Sequence, residues 1–260
     1  MAKKKITIER LRKLNFIAFG FFALQLGVMA LIASFKVKYD ITVNYLSFDT
    51  ATRTLTTASK AIFSLPLVWP ILAFLAMSMV AHLIISTIWY RGYKKDLQKG
   101  MNRARWIEYS FSASTMIVAI ALLSGIYDLA SLIMLFALIM VMNLLGMIME
   151  IHNQTTEKTK WISYNVGWIA GIVPWIAIAI YFWASAANAT TAGAKIPAFV
   201  YWIYVTIFLF FNCFAINMFL QYKKWGPWKN YLFGERVYII LSFVAKTALA
   251  WQVFAGTLRP

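Results

Sequence analysis

Cysteine is nearly missing from this chain. The one residue, Cys213, excludes an intrachain disulfide, and its place inside an apolar stretch leaves the redox compartment unread. Histidine is almost as scarce, with only His82 and His152, so no cluster has the spacing of metal ligands. No glycine-rich phosphate loop and no recognisable nucleophile–base pair occurs. The chain is therefore expected to be neither an enzyme nor a metal-binding protein. Acidic residues number nine against 25 Lys and Arg, a formal net charge of +16. Such an excess can mark a nucleic-acid partner, but here the basic residues come in short clusters between apolar runs. That distribution encodes membrane topology instead. Solenoid repeats and low-complexity segments are absent too.

What the chain has in quantity is apolar surface. Hydrophobic residues make up 62% and charged ones only 13% of 260 residues, with a mean hydropathy of +0.69. These proportions describe a chain dissolved mostly in lipid. Seven apolar segments of spanning length can be read at 14–35, 61–90, 106–125, 129–151, 161–187, 197–222 and 237–256. The first has no small-residue cleavage site after it and is read as a retained helix, not a signal peptide. Of the 25 basic residues, 18 fall in 1–13, 91–105, 152–160 and 223–236, and six in 36–60, 126–128, 188–196 and 257–260. The excess of Lys and Arg on one side places the N-terminus in the cytoplasm and the C-terminus outside a cell membrane crossed several times. The fold expected is an all-α membrane protein, one domain over 1–260. It is a seven-transmembrane-helix bundle with a short β-hairpin in the first extracellular loop.

That loop, about 36–60, carries the hairpin signal. Residues 37–45 alternate apolar and polar side chains with β-branched and aromatic residues on the odd positions, and 50–57 supply a return strand. An isolated hairpin is marginally stable, so its apolar face needs cover, for which a second protomer is one source. Aromatic residues such as Trp89, Trp106, Trp161, Trp183, Trp225 and Trp228 gather at span ends, as interfacial anchors do. Trp168 and Trp175 lie deeper, flanking Pro174, and are candidate walls of an internal pocket. Asn153-Gln-Thr155 and Asn188-Ala-Thr190 fit glycosylation sequons on opposite sides of the membrane and are read as chance.

One residue breaks the apolar logic. Lys246 lies about ten residues from either end of the last span, roughly 15 Å of helix, too far for its stem to reach water in comfort. A lysine at that depth costs several kcal/mol and marks a functional site by default. Its partner can be found by elimination. Of the acidic residues only Glu108 lies well inside a span; Glu150 is at a span end beside His152, and Glu235 is placed with the loops and span ends. Ser242, four residues before Lys246, shares its helix face. Chain direction puts Lys246, Glu108, Ser242 and His82 in one layer on the cytoplasmic side. Two readings of the Lys246–Glu108 pair stay open from residues alone: a salt bridge that fixes helix register, and a reactive amine with its anion.

A seven-helix bundle with a solitary lysine in mid-span seven is similar to the retinal-binding rhodopsins. The N-inside reading, the long first outer loop, Glu108-Tyr109 in span three and Leu241-Ser-Phe-Val-Ala-Lys246 in span seven narrow this. Together they resemble the heliorhodopsin family over essentially the whole chain. The resemblance implies all-trans retinal as cofactor, held by Lys246 as a protonated Schiff base with Glu108 as counterion. It implies Ser242 as a hydrogen-bond partner of that pair and His82 in a polar network beside it. Tyr109, Ser112, Met142, Gly146, Trp168 and Phe211 would line the polyene pocket. Phe211 would stand where many microbial rhodopsins carry a span-six tryptophan. A homodimer, contact with membrane lipid and an unidentified signalling partner follow from the same resemblance.

A proton pump needs a second carboxylate beyond the first. One and three turns past Glu108 stand Ser112 and Ala119, and no acid follows until Asp128. The expectation is a slow signalling photocycle without ion pumping. The alternative is a transporter or channel gated by the Lys246–Glu108 pair, for which Gly171 and Pro174 offer one break in span five but no matching break elsewhere.

Overall fold

The computed structural model describes residues 6–191, 193 and 198–257. The expected outer loop at 188–196 and the terminal segments 1–13 and 257–260 lie partly outside these. Among the described residues seven helices are long and apolar enough to cross a membrane. They are α1 (Ile8–Ile32), α2 (Val68–Ser86), α4 (Arg103–Leu123), α5 (Leu129–His152), α6 (Ile162–Thr191), α7 (Ala198–Tyr222) and α8 (Tyr231–Thr257). A short amphipathic helix, α3 (Tyr90–Gln98), and a 3-10 turn at Gly226–Lys229 lie on the side where α1 begins. Much of the 91–105 segment, which the apolar pattern leaves between spans two and three, is thus helical. Its Asp96 is buried and paired with Arg103 through two hydrogen bonds of 2.9 and 3.0 Å.

Helix starts are marked by side-chain caps. Thr7 accepts from the Arg10 amide, Asn102 from that of Arg105, and Asp128 from that of Ser131. Pro70 falls in the first turn of α2, where its missing N–H leaves no intrahelical bond unmade. Pro174 sits inside α6 without ending it, and α6 continues to Thr191, past the expected end at 187.

The hairpin is longer than the sequence suggested. Strand β1 covers Lys38–Asp49 and β2 Thr54–Pro66, paired antiparallel from Lys38 opposite Pro66 to Asp49 opposite Thr54. Residues 61–66, expected to open span two, are strand instead; Pro66 and Pro70 punctuate the change to helix. Asp49 holds the turn by accepting from the Ala51 amide and the Thr52 hydroxyl, both at 2.9 Å. These bonds keep its carboxyl below the usual carboxylate range. The base of the hairpin is tied to the α4–α5 turn: the Thr42 amide donates to the Tyr127 carbonyl at 3.0 Å, and the Tyr39 and Tyr127 rings stack at 5.1 Å. Burial raises both tyrosine hydroxyls above their ordinary value.

Helix α4 is the most buried span and packs between α2 and α5, while α1 and α2 close on α8. Helices α6 and α7 meet differently. Trp175 stands edge-on to Tyr204, Phe208 and Phe211, and Phe182 stacks on Tyr204. Large rings hold the two backbones apart, and the space so kept becomes part of the site.

Candidate functional site

Lys246 is 2% exposed near the middle of α8. Its Nζ donates to Glu108 Oε1 at 2.5 Å and to Ser78 Oγ at 2.7 Å. Ser78 Oγ in turn lies 2.8 Å from Glu108 Oε1 and 2.9 Å from the Phe74 carbonyl. Its single proton can serve one of these acceptors at a time, so the hydroxyl is a two-position bridge between α2 and the ion pair. The Tyr109 ring lies 5.0 Å from Nζ, and its hydroxyl donates to the Tyr238 carbonyl at 3.1 Å. The geometry brings Lys246 and Glu108 into contact. Ser112 and Ser242 are buried too, Ser112 against the Glu108 carboxylate and Ser242 against Tyr109.

His82 does not touch the pair. Its Nδ1 is 2.7 Å from Asn15 Oδ1, and its ring stacks on Phe22. Asn15 Nδ2 donates to the Leu11 carbonyl and to Tyr93 Oη, which fixes the amide with Oδ1 as acceptor. His82 Nδ1 therefore carries the proton, and Nε2 is the ring's acceptor in the neutral form. Burial pushes the Tyr93 hydroxyl up to about 12, so it stays a neutral partner. His82, Asn15, Tyr93, Arg105, Glu108 and Glu235 share a small polar cavity. His82 and the ion pair thus line one space without a direct bond.

On the other side of Tyr109 runs an apolar slot. Near the amine it is walled by Tyr109, Met116, Met142, Phe211, Phe214 and Lys246. Met142, Asn143, Phe211 and Phe214 also line the next cavity, which continues between α6 and α7 past Gly146, Trp168, Gly171 and Trp175. Tyr109, Met142, Gly146, Trp168 and Phe211 therefore fall on two adjoining cavities with shared walls, the nearer of which ends on Lys246. Two glycines shape it. A Cβ at Gly146 would stand 2.5 Å from Trp106 Cζ3, and one at Gly171 2.5 Å from Met142 Sδ. Both helices are bare where an aromatic ring or a thioether must lie against the backbone. An apolar slot closed at one end by a primary amine beside a carboxylate suits an extended apolar aldehyde: Lys246 would hold its carbonyl carbon, with the carbonyl oxygen lost as water, and Glu108 would balance the positive charge on the nitrogen.

A second ionic cluster lies beside the first. Arg105 Nη2 donates to Glu150 Oε1 at 2.5 Å and Nη1 pairs with Glu235 Oε1. Trp106 Nε1 and the Asn102 amide donate to Glu150 Oε2 at 2.7 and 2.8 Å, and Asn102 Nδ2 to Glu235 Oε2 at 2.8 Å. The guanidinium also lies 3.8 Å from the Tyr238 ring centre. Glu235 does stand at a span end, in the first turns of α8, but that helix begins at Tyr231, not 237, and the carboxylate is fully buried there. Arg105 likewise belongs to α4, not to the preceding loop. Its spacing of three from Glu108, which puts both on one helix face, was the signal available. Ser78 was also missed, although it lies one turn before His82 on the same helix.

The heliorhodopsin family model matches residues 11–258, nearly the whole chain. Among curated proteins none matches.

Proposed function

The chain belongs to the heliorhodopsin family, which makes it a retinal-binding rhodopsin and a multi-pass membrane protein, and from that premise we propose that it is a light sensor. In this reading Lys246 holds all-trans retinal as a protonated Schiff base, Glu108 is the counterion, and the photocycle signals slowly without pumping ions. The observation that carries it is the buried amine at 2.5 Å from one carboxylate, at the closed end of the apolar slot.

When bound, retinal supplies visible absorption and a light-driven change of shape. The rest is the work of this chain. Glu108 fixes the positive charge on Lys246 in a low-dielectric layer, where an unpaired charge would cost several kcal/mol. Ser78 follows the charge: its hydroxyl can point to Glu108 or swing to the Phe74 carbonyl as the carboxylate gains or loses a proton. Tyr109 presents its ring to the amine and links the layer to Tyr238 and so to Arg105. A proton leaving Lys246 has Glu108 beside it and His82 across the polar cavity. On the opposite side, past Ala119, the spans offer no carboxyl group to relay it outward before Asp128 at the rim. That asymmetry supports sensing over pumping. The 18 basic residues on the N-terminal side favour an N-terminus in the cytoplasm. The hairpin exposes Leu46, Phe48 and Leu55 on one face and Tyr45 and Phe63 on the other, apolar surface of which a second copy of the chain would cover one side in a homodimer. The signal would pass to a partner not yet identified.

The test is a visible absorption spectrum of the purified protein after adding all-trans retinal. Wild type should form a visible band and Lys246→Ala none. Glu108→Gln should move the band to the red or convert it to a near-ultraviolet form. Failure of any band to form in the wild type would refute the retinal reading, and acidification or alkalinisation by illuminated cells, abolished by a protonophore, would refute the non-pumping one.

A further inference from the structure

Away from the retinal slot, on the side of the bundle that carries α3, the turn from α7 to α8 faces the α5–α6 loop across a cavity of about 340 Å³. That is within the range of small-molecule sites. We propose that this cavity binds a phosphate-bearing anion, whether free in solution or carried on a lipid headgroup. Its lining includes Lys99, Lys224 and Lys229 against a single carboxylate, Glu157. Among the described residues none of these three ammonium groups enters an ion pair. Their neighbour Lys223, by contrast, lies over the rings of Trp161 and Phe219. Three unpaired cations converging on one concave space favour an anion there.

The backbone adds an independent sign. Lys224 N donates to the Gln221 carbonyl and Trp225 N to the Leu220 carbonyl, both at 3.2 Å. These paired bonds end a helix on a residue in the left-handed region, a place that favours glycine. Here φ is +51° at Lys224, and Gly226 follows at +53°. A lysine kept where glycine is favoured is held by its surroundings or by use, and such strain gathers at ligand sites. Gln221 also lines the cavity, and its Nε2 donates to the Tyr231 carbonyl at 3.1 Å, which ties the floor of the site to α8. The lysines thus select the charge. The site also touches the interior, since Tyr231 donates its hydroxyl to Glu150 at 3.3 Å.

The experiment is calorimetric titration of glycerol 3-phosphate into the full chain in phosphatidylcholine nanodiscs, with glycerol as the uncharged control. Saturable binding of the phosphate and not of glycerol is expected, weakened at least about tenfold in the Lys224→Gln/Lys229→Gln double variant. Both changes lie on exposed lysines, and circular dichroism checks that the variant is folded. Repeating the titration in nanodiscs containing phosphatidylglycerol separates the sources. Lost binding assigns the site to lipid headgroups, and retained binding to a soluble phosphate. No binding in phosphatidylcholine nanodiscs, or equal binding by the folded double variant, would overturn the proposal.

Discussion

The two halves of this bundle are held together by different chemistry. Within the seven spans every Asp, Glu, Lys and Arg lies level with Lys246 or on the side where α1 begins. That half contains two buried ionic clusters. Toward the hairpin the helices are joined by neutral groups: Gln25 bonds Thr247 and Trp251 at 3.1 Å each, and Gln252 bonds Thr206 at 3.3 Å. Neutral amide and hydroxyl bonds do not change with a moving proton, whereas ion pairs do. A change of charge at Lys246 is therefore felt on one side only. Within the charged half the two clusters also differ. Lys246–Glu108 is one cation with one anion and a hydroxyl that can point two ways. Arg105 faces two carboxylates whose oxygens are taken up by Trp106, Asn102 and Tyr231. The first is built to change state, the second to stay.

The largest break in that comparison is Arg105→Met. It leaves Glu150 and Glu235 buried with no cation, and removing one partner of a buried pair costs about 3–5 kcal/mol. A loss of that size is expected in the unfolding free energy measured by detergent titration. Adding Glu150→Gln and Glu235→Gln to the same protein should recover much of it, because a neutral cluster has no charge to desolvate. Lys246→Met should cost less, since Glu108 can take up a proton and keep Ser78. If Arg105→Met were no less stable than Lys246→Met, the Arg105 cluster would not be the fixed element argued above.

A smaller effect, confined to the adjustable cluster, is expected from Ser78→Ala. It removes a hydroxyl that bonds both charges from a pair that remains paired, a loss of about 1.5–3 kcal/mol. The visible band should shift, by less than in Glu108→Gln, because the hydroxyl tunes a charge that the carboxylate neutralises. A shift as large as that of Glu108→Gln would make Ser78 an equal partner and sharpen the comparison in its favour.

How far the sequence showed these clusters depended on contrast. Lys246 and Glu108 stood out because a charge inside an apolar run has no ordinary explanation, and the pairing followed by elimination. Ser78 had no such contrast: a serine in an apolar helix commonly bonds back to the carbonyl four residues earlier, as Ser78 also does to Phe74. Arg105 and Glu235 were hidden by the method of drawing spans. Hydropathy trims a helix at its first charges, yet α4 begins at Arg103 and α8 at Tyr231, and charged first turns are buried when they pair with one another. The hairpin was legible in its first strand, where polar and apolar residues alternate cleanly. Its second strand merged with the next apolar run, because residues 61–66 fit the end of a strand and the start of a helix equally well.

The smallest effect should come from the neutral half, at its one carboxylate near the spans. Asp128 caps α5 by accepting from the Ser131 amide and hydroxyl at 2.9 Å each, and Asn44 Nδ2 reaches it at 3.5 Å. The Ser131 amide bond, foremost, holds the carboxyl below its usual range. A carboxyl depressed by folding contributes stability that is full above its unfolded value of about 3.9 and is lost as pH falls through the folded one. The cap should therefore hold at neutral pH and loosen only in acid. Asp128→Ala removes it at every pH, at a cost near the low end of about 0.5–2 kcal/mol because the site is open to solvent. Protection of the Ser131 amide against hydrogen exchange should fall in Asp128→Ala near neutral pH, and in wild type only below about pH 4. The hairpin should stay docked through the Thr42–Tyr127 bond and the stacked tyrosines. The visible band should not move in Asp128→Ala. A band displaced as far as in Ser78→Ala would mean that charge at the hairpin end reaches the ion pair, and the division between the two halves would not hold.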